Sequence, residues 1–325
     1  MCTSLALRTF SFYFGRNMDL DYDLHQRVII TPRQFTFRFR QSDTVSHHPA
    51  IIGMGVVVDD YPLYAEACNE SGLCVAALNF PEFCAYAQDI HSHGTAICPF
   101  EFIPAILTRC HTVDEAEALL RDTVIIDDPL NSQIPNTPLH WHIADRHRSL
   151  VAEPLREGLR LYANPLEILT NSPPFEYHMT HLRQYMRMSP DYPIESFCDP
   201  GTLTPYGLGF GSIGLPGDPS SSSRFVRMAY NKSASVELPG KENSIAHFFH
   251  LLDSVAVVNG VARTENGAYQ RTLYSCCIDA AQGEYLFKSY TNQQITTVRL
   301  QGIPLDTETL REFPVPPEQQ IHYMN

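Results

Sequence analysis

The sequence predicts an α+β protein whose sheets are covered by segregated helices, and three observations carry that expectation. Strand patterns dominate from Thr3 to Phe80, helical patterns cluster mid-chain, and strand patterns return from Leu273. Runs of one kind followed by runs of another predict segregated layers rather than alternating βαβ units. No linker, repeat or low-complexity boundary interrupts the 325 residues, so residues 1–325 are expected to form one domain.

Each element has a local reason. Thr3–Arg8 and Ser11–Arg16 read as two short strands around a turn, followed by Arg27–Thr31. Gln34–Arg40 alternates, with Phe35, Phe37 and Phe39 on one face, and is expected to be a half-buried strand. Ile51–Val58 is a continuous apolar run suited to a strand covered on both faces, and Asp59-Asp60-Tyr61-Pro62 reads as a turn. Leu73–Phe80 is a strand that stops at Pro81.

Helices are expected over Pro99–Cys110 and Val113–Arg121, the second opened by a capping box at Thr112 and Glu115. Leu139–Ile143, Ser149–Glu153 and Leu159–Tyr162 return to strand patterns. Phe175, Met179, Leu182 and Met186 then recur at helical spacing. A serine run caps a helix over Ser222–Asn231, and Ile245, Phe248, Phe249, Leu252 and Val255 mark another. Leu273–Ile278, Glu284–Ser289 and Gln294–Leu300 are the closing strands, and 302–325 reads as a peripheral tail.

Composition excludes several classes of function. A net charge of −13 argues against nucleic acid and anionic membranes, which select basic surfaces. No apolar run reaches the roughly 18 residues a membrane helix needs, and no leader pattern precedes a small-residue cleavage site. A cytoplasmic protein is therefore expected. Nine cysteines without a C-x-x-C pair fit a reducing compartment, with Cys276-Cys277 as packing residues. His140 and His142 share a strand face, and His47-His48 and His91-Ser92-His93 add imidazoles, but no third ligand stands at motif spacing, so no metal is expected. Gly209-Phe210-Gly211-Ser212-Ile213-Gly214 satisfies a dinucleotide pattern, yet Leu215-Pro216-Gly217 bars a clean helix start, and no cofactor is expected.

The chemistry concentrates at the start of the chain. Cys2 is small enough that an aminopeptidase is expected to remove Met1, leaving a terminal cysteine. Such a residue carries a thiol of pKa about 8.5 and an amine of about 7.7–8.0. The amine then serves as base to its own thiol, so one residue supplies both parts. A strand beginning at Thr3 would hold that terminus in a sheet.

The motifs Met1-Cys2-Thr3, Gly15-Arg16-Asn17-Met18-Asp19, Asn69-Glu70-Ser71-Gly72-Leu73, Leu78-Asn79-Phe80-Pro81, Pro138-Leu139-His140-Trp141, Leu169-Thr170-Asn171-Ser172-Pro173, Gly214-Leu215-Pro216-Gly217-Asp218, Ser223-Arg224-Phe225-Val226-Arg227 and Leu273-Tyr274-Ser275 span nearly the whole chain in one order. Through them the chain resembles the choloylglycine hydrolases, a family of conjugated bile salt hydrolases and penicillin V acylases. These are N-terminal-nucleophile amidases with a four-layer αββα sandwich.

The resemblance implies Cys2 as nucleophile, Arg16 and Asp19 beside its thiol and amine, Asn79 and Asn171 as oxyanion-hole residues, and Arg224 holding the network. It implies a substrate cleft formed by Met18, Tyr61, Leu63, Tyr64, Ile134 and Leu139. It also implies a homotetramer assembled through an extended segment at 189–222. Asn79, where many penicillin V acylases carry tyrosine, favours bile salts as the small-molecule substrate. Penicillin V or another N-acyl amide remains an alternative within the enzyme class, and a non-catalytic bile-acid or redox sensor an alternative outside it. Ser4 and the Asp59-Asp60 pair depart from the commoner glycines of the family.

Overall fold

In a computed structural model describing residues 1–89 and 94–325, the start of the chain forms β1 (Cys2–Arg8) and folds back as β2 (Phe12–Leu20). β3 (Arg27–Thr31), β4 (Ile51–Val58), β5 (Tyr61–Asn69) and β6 (Cys74–Asn79) follow. Then come β7 (Thr95–Ile97), α1 (Phe102–Leu107), α2 (Val113–Arg121) and β8 (Thr123–Ile125). β9 (Leu139–Ala144), β10 (Ser149–Leu155), β11 (Gly158–Ala163) and β12 (Ile168–Leu169) precede α3 (Phe175–His181), α4 (Ser221–Ala234) and α5 (Lys241–Asp253). The chain closes with β13 (Ala262–Arg263), β14 (Tyr269–Asp279), β15 (Glu284–Ser289), β16 (Thr296–Arg299) and β17 (Arg311–Pro314).

Two antiparallel sheets lie face to face. One runs β12-β1-β2-β14-β15-β16, with β13 paired to β14, and the other runs β11-β10-β9-β6-β5-β4-β3-β17. α4 and α5 cover the first sheet over β1, β2 and β14, while α1 and α2 cover the second over β5, β6 and β10. This is an α+β four-layer αββα sandwich. Ala6, Phe14, Val28, Ala76 and Cys276 fill the space between sheets, where Phe14 meets His142 at 5.1 Å between ring centroids. A second core lies under α1, where Phe102 stacks on Trp141 at 3.8 Å. Together these layers withdraw most large apolar side chains from water, the main favourable contribution to folding.

Two features place the functional residues. Gly15 sits so close to β14 that a Cβ there would lie 1.9 Å from the Cys276 carbonyl oxygen, so the absence of a side chain lets β14 dock beside Arg16. Register shifts occur between Thr272 and Tyr274 in β14 and between Met54 and Gly55 opposite β5. Such bulges re-aim side chains and release carbonyls from the ladder.

Three local expectations are corrected. Gln34–Arg40 is no strand: its ladder pairing is confined to the isolated Phe37–Val45 bridge, although Phe37 and Phe39 are buried as its alternation implies. Tyr61 and Pro62 open β5 instead of completing the turn, since Asp59 and Asp60 alone take positive φ. The tail 302–325 contributes β17, an edge strand on β3, where Pro314 is tolerated because an edge has a free side. The capping box at α2 forms with a variation: Thr112 Oγ1 accepts from Glu115 N, while Glu115 reaches back to His111 N at 2.6 Å. Ser220 caps α4. His91, Ser92 and His93 lie outside the described residues.

Candidate active site

Cys2 opens β1 at the side of β2, opposite Met18, and is 3 % exposed. Its backbone nitrogen donates to Asn171 Oδ1 at 2.7 Å. Asn171 Nδ2 donates to the Asn79 carbonyl at 2.8 Å, and the Asn171 backbone nitrogen donates to Ser221 Oγ at 2.9 Å. Asn171 is thus a clamp between the start of β1, the end of β6 and the start of α4. At least one of its side-chain N–H groups is directed at Asn79 rather than at open space.

Arg224 projects from the first turns of α4 and is fully buried. It donates to the Cys2 carbonyl, to Thr3 Oγ1 at 2.6 Å, to Asn171 Oδ1 at 2.7 Å and to the Pro219 carbonyl at 2.9 Å. Burial pushes its pKa down, and Asp19 and Cys2 oppose that shift.

Arg16, also fully buried, comes from the middle of β2. Its Nη1 donates to the Ala77 carbonyl at 2.5 Å and to the Ala65 carbonyl at 3.3 Å, Ala65 being the residue that the β5 bulge leaves without a ladder partner. Its Nη1 stands 3.7 Å from Glu66 Oε2. Desolvation works against its charge, but the fields of Cys2, Glu66 and Tyr274 outweigh it and raise the guanidinium pKa.

Asp19 is buried at the end of β2, where its Oδ1 accepts from Thr272 Oγ1 at 2.6 Å. Its Oδ2 has no hydrogen-bond partner among the described residues. Desolvation raises the Asp19 pKa, with Arg224 and the terminal ammonium pulling the other way. The ammonium of Met1 donates to the Asp19 carbonyl at 2.8 Å and to Gln270 Oε1 at 3.0 Å.

A cavity of about 420 Å³ opens on this cluster, lined by Cys2, Arg16 and Asn79 together with Met18, Leu63, Tyr64, Ile134 and Leu139. It is large enough to receive a small organic molecule, and its walls are mainly apolar. Tyr61 stands outside it: its ring packs edge-on against Phe37 and Phe100 at 5.8 and 5.7 Å, and Phe100 occupies the wall in its place.

Sequence reasoning passed over Glu66, Thr272 and Ser221. Glu66 had a visible signal, a lone acid within the apolar stretch Leu63–Cys68. His140 and His142 are spent on structure: His140 lies between Glu153 Oε1 and the Thr170 carbonyl at 3.0 Å each, and His142 between Ser4 Oγ and Ser149 Oγ at 2.7 Å each. Burial holds the His142 pKa down at about 3, so it is neutral. Among the described residues no group of three His, Cys, Asp or Glu side chains is arranged to hold a metal, and no helix is long and apolar enough to cross a membrane.

A four-layer αββα sandwich whose first strand opens on a cysteine, with Arg16 and Asp19 from β2 and Arg224 from α4 gathered near it, is the N-terminal-nucleophile type of fold. The chain belongs to the choloylglycine hydrolase family of linear amide C–N hydrolases, whose family model matches residues 2–313. It is 39 % identical to a bile salt hydrolase/transferase of Lactiplantibacillus plantarum over 325 residues, covering 100 % of both chains. It is 34 % identical to a bile salt hydrolase/transferase of Clostridium perfringens over 330 residues, again across 100 % of each. Among solved structures, a conjugated bile acid hydrolase from Clostridium perfringens superposes with a TM-score of 0.92 at 34 % identity over 100 % of both chains. A penicillin V acylase from Agrobacterium tumefaciens shares the fold, with a TM-score of 0.75 at 19 % identity over 96 % of this chain and 90 % of that one.

Proposed function

We propose that this enzyme hydrolyses the amide bond of glycine- or taurine-conjugated bile salts, with Cys2 as the nucleophile once Met1 has been removed. The observation that carries the mechanism is the pairing at Cys2: its nitrogen is aimed at Asn171 Oδ1, and on the paired strand, one residue past its partner Met18, the buried Asp19 carboxylate has an oxygen to spare. Loss of Met1 turns that nitrogen into an amine held by Asn171, with Asp19 Oδ2 available to accept from its ammonium form.

The thiol then gives its proton to the amine as sulfur attacks the amide carbonyl carbon. The negative charge that develops on the carbonyl oxygen needs donors, and Asn79, which lines the cavity, would supply one from its carboxamide. As the C–N bond breaks, the ammonium returns its proton to the departing amino acid, leaving a thioester on Cys2. Water, deprotonated by the same amine, releases the free bile acid and restores the thiol.

Substrate choice follows from the relatives and from the cavity. The apolar walls at Met18, Leu63, Tyr64, Ile134 and Leu139 suit a fused-ring acyl group better than a charged one. The test is amine release from glycocholate, taurocholate and penicillin V under reducing conditions, with intact mass recorded. Cleavage of a bile salt by protein lacking Met1, reduced at least about 1,000-fold in Cys2→Ser, is the expected result. Turnover of penicillin V alone would transfer the assignment to the acylase branch.

We further infer a cytoplasmic homotetramer assembled through 189–222. Within that segment Ile194 is 94 %, Phe197 92 % and Tyr206 95 % exposed, a concentration of apolar surface that contact with further copies would cover. Sedimentation equilibrium checks the four-chain mass, and a monomer would overturn it.

A further inference from the structure

Glu66 is the one acid buried beside the cluster that the mechanism leaves unused. It belongs to β5 in one sheet and reaches across to the other. Tyr274 in β14 donates to it at 2.9 and 3.1 Å, and Tyr285 in β15 donates to Oε1 at 2.5 Å. Arg16 in β2 completes the enclosure at 3.7 Å, and every one of these side chains is buried. Cys276 of β14 is the remaining titratable group facing it. Burial raises the Glu66 pKa, and Arg16 and the two phenols counter that shift. A carboxyl group that receives donors from two phenols on one side and faces a guanidinium on the other is arranged as a carboxylate.

Arg16 and Cys2 line the same cavity, and the field of Cys2 acts on the same guanidinium. One buried cation therefore serves two partners. Whatever share of its field Glu66 takes up is unavailable to a negative sulfur, because charges compete strongly where water does not screen them. The hydrogen bonds that place Nη1 go to the carbonyls of Ala65 and Ala77, which hold position without neutralising charge, so the charge is met by Glu66 at 3.7 Å.

We propose that Glu66 is a positioning residue that acts on the nucleophile through Arg16: held by Tyr274 and Tyr285, its carboxylate takes up part of the guanidinium charge that would otherwise favour a thiolate. The proposal rests on the reading of Cys2 as nucleophile, and it is tested without relying on turnover. Iodoacetamide alkylation of Cys2 is followed by mass spectrometry of the N-terminal peptide at pH 6 and pH 9, in the parent and in Glu66→Gln. With Glu66 neutral, Arg16 favours thiolate more strongly, so alkylation at pH 6 rises about threefold or more while the rate at pH 9 stays level.

A merely structural Glu66 would, on substitution, loosen the site and speed alkylation at both pH values alike, and that result or an unchanged ratio overturns the proposal. Tyr285→Phe removes one donor from the carboxylate, pushes it toward the neutral form and is expected to move the ratio the same way by about twofold. It decides the matter where Glu66→Gln does not fold. A shifted alkylation ratio in a parent that cleaves none of the three substrates would count against the proposed reaction and leave the role of Glu66 standing.

Discussion

Arg16 and Arg224 are both fully buried, both bear on Cys2, and are held in opposite ways. Arg16 faces an acid at 3.7 Å and its positive charge is reinforced, whereas Arg224 is gripped by two carbonyls, a hydroxyl and an amide oxygen and its pKa is pushed down by burial. The hydrogen bonds of Arg224 fix the backbone at Cys2, and the charge of Arg16 is coupled to the Cys2 side chain. Position and charge at one residue are thus assigned to different side chains on different layers, one on a helix and one on a strand. A guanidinium can do either, because its five donors form a rigid fork while its charge persists at any working pH.

Breaking the Arg224 side of this comparison has the largest expected effect. Arg224→Ala leaves the Cys2 and Pro219 carbonyls, Thr3 Oγ1 and a contact of Asn171 without their donor, and a loss of about 3–5 kcal/mol is expected in urea unfolding.

A smaller effect is expected at Asp19, the carboxylate whose charge bears most on Arg224. Thr272→Val removes its one side-chain donor and is expected to cost about 1.5–3 kcal/mol at pH 7. The sign follows from the raised pKa of Asp19. The folded state binds the proton more tightly than the unfolded one, so the penalty is full above the folded pKa. It fades as pH falls through that value toward the unfolded one near about 3.9. Unfolding at pH 7 and pH 4 measures the difference, and an equal loss at both would separate Thr272 from Asp19.

The smallest effect sharpens the comparison by removing burial from it. Arg33 makes better ion pairs than either buried arginine, 2.8 Å to Glu70 and 3.0 Å to Asp306, but its side chain is 41 % exposed. Arg33→Ala is expected to change stability by about 1 kcal/mol or less in the same unfolding experiment, and a larger loss would mean that pairing outranks burial.

Elements whose signals are local were legible in the sequence. Thr112 and Glu115 announced α2, the serine run announced α4, and the strand pattern of Leu273–Ile278 announced β14. The motifs around Cys2, Arg16, Asn79, Asn171 and Arg224 also announced a gathering, and these residues do meet. What was not legible depends on the partner strand. Gln34–Arg40 has strand alternation but no neighbour to complete a ladder, while β5 begins at Tyr61-Pro62 because β4 is there to receive it. Tyr61 was assigned to the cleft and stands one ring behind it, an offset that depends on Phe37 arriving from elsewhere in the chain. Glu66 looked like one acid in a strand because its phenols are more than two hundred residues away.

The irregularity in β5 has one more consequence. Tyr64 and Ala67 belong to the core under the helices, whereas Ala65 packs toward the facing sheet and Glu66 bonds across to it, so two adjacent side chains point the same way. The strand therefore carries two reading frames joined at Ala65. A deletion there would bring them into one phase and exchange the faces of everything on one side, sending either the cavity wall or the acid outward. A natural variant one residue shorter between Tyr61 and Asn69 is therefore expected to have lost the arrangement of cavity wall and acid together.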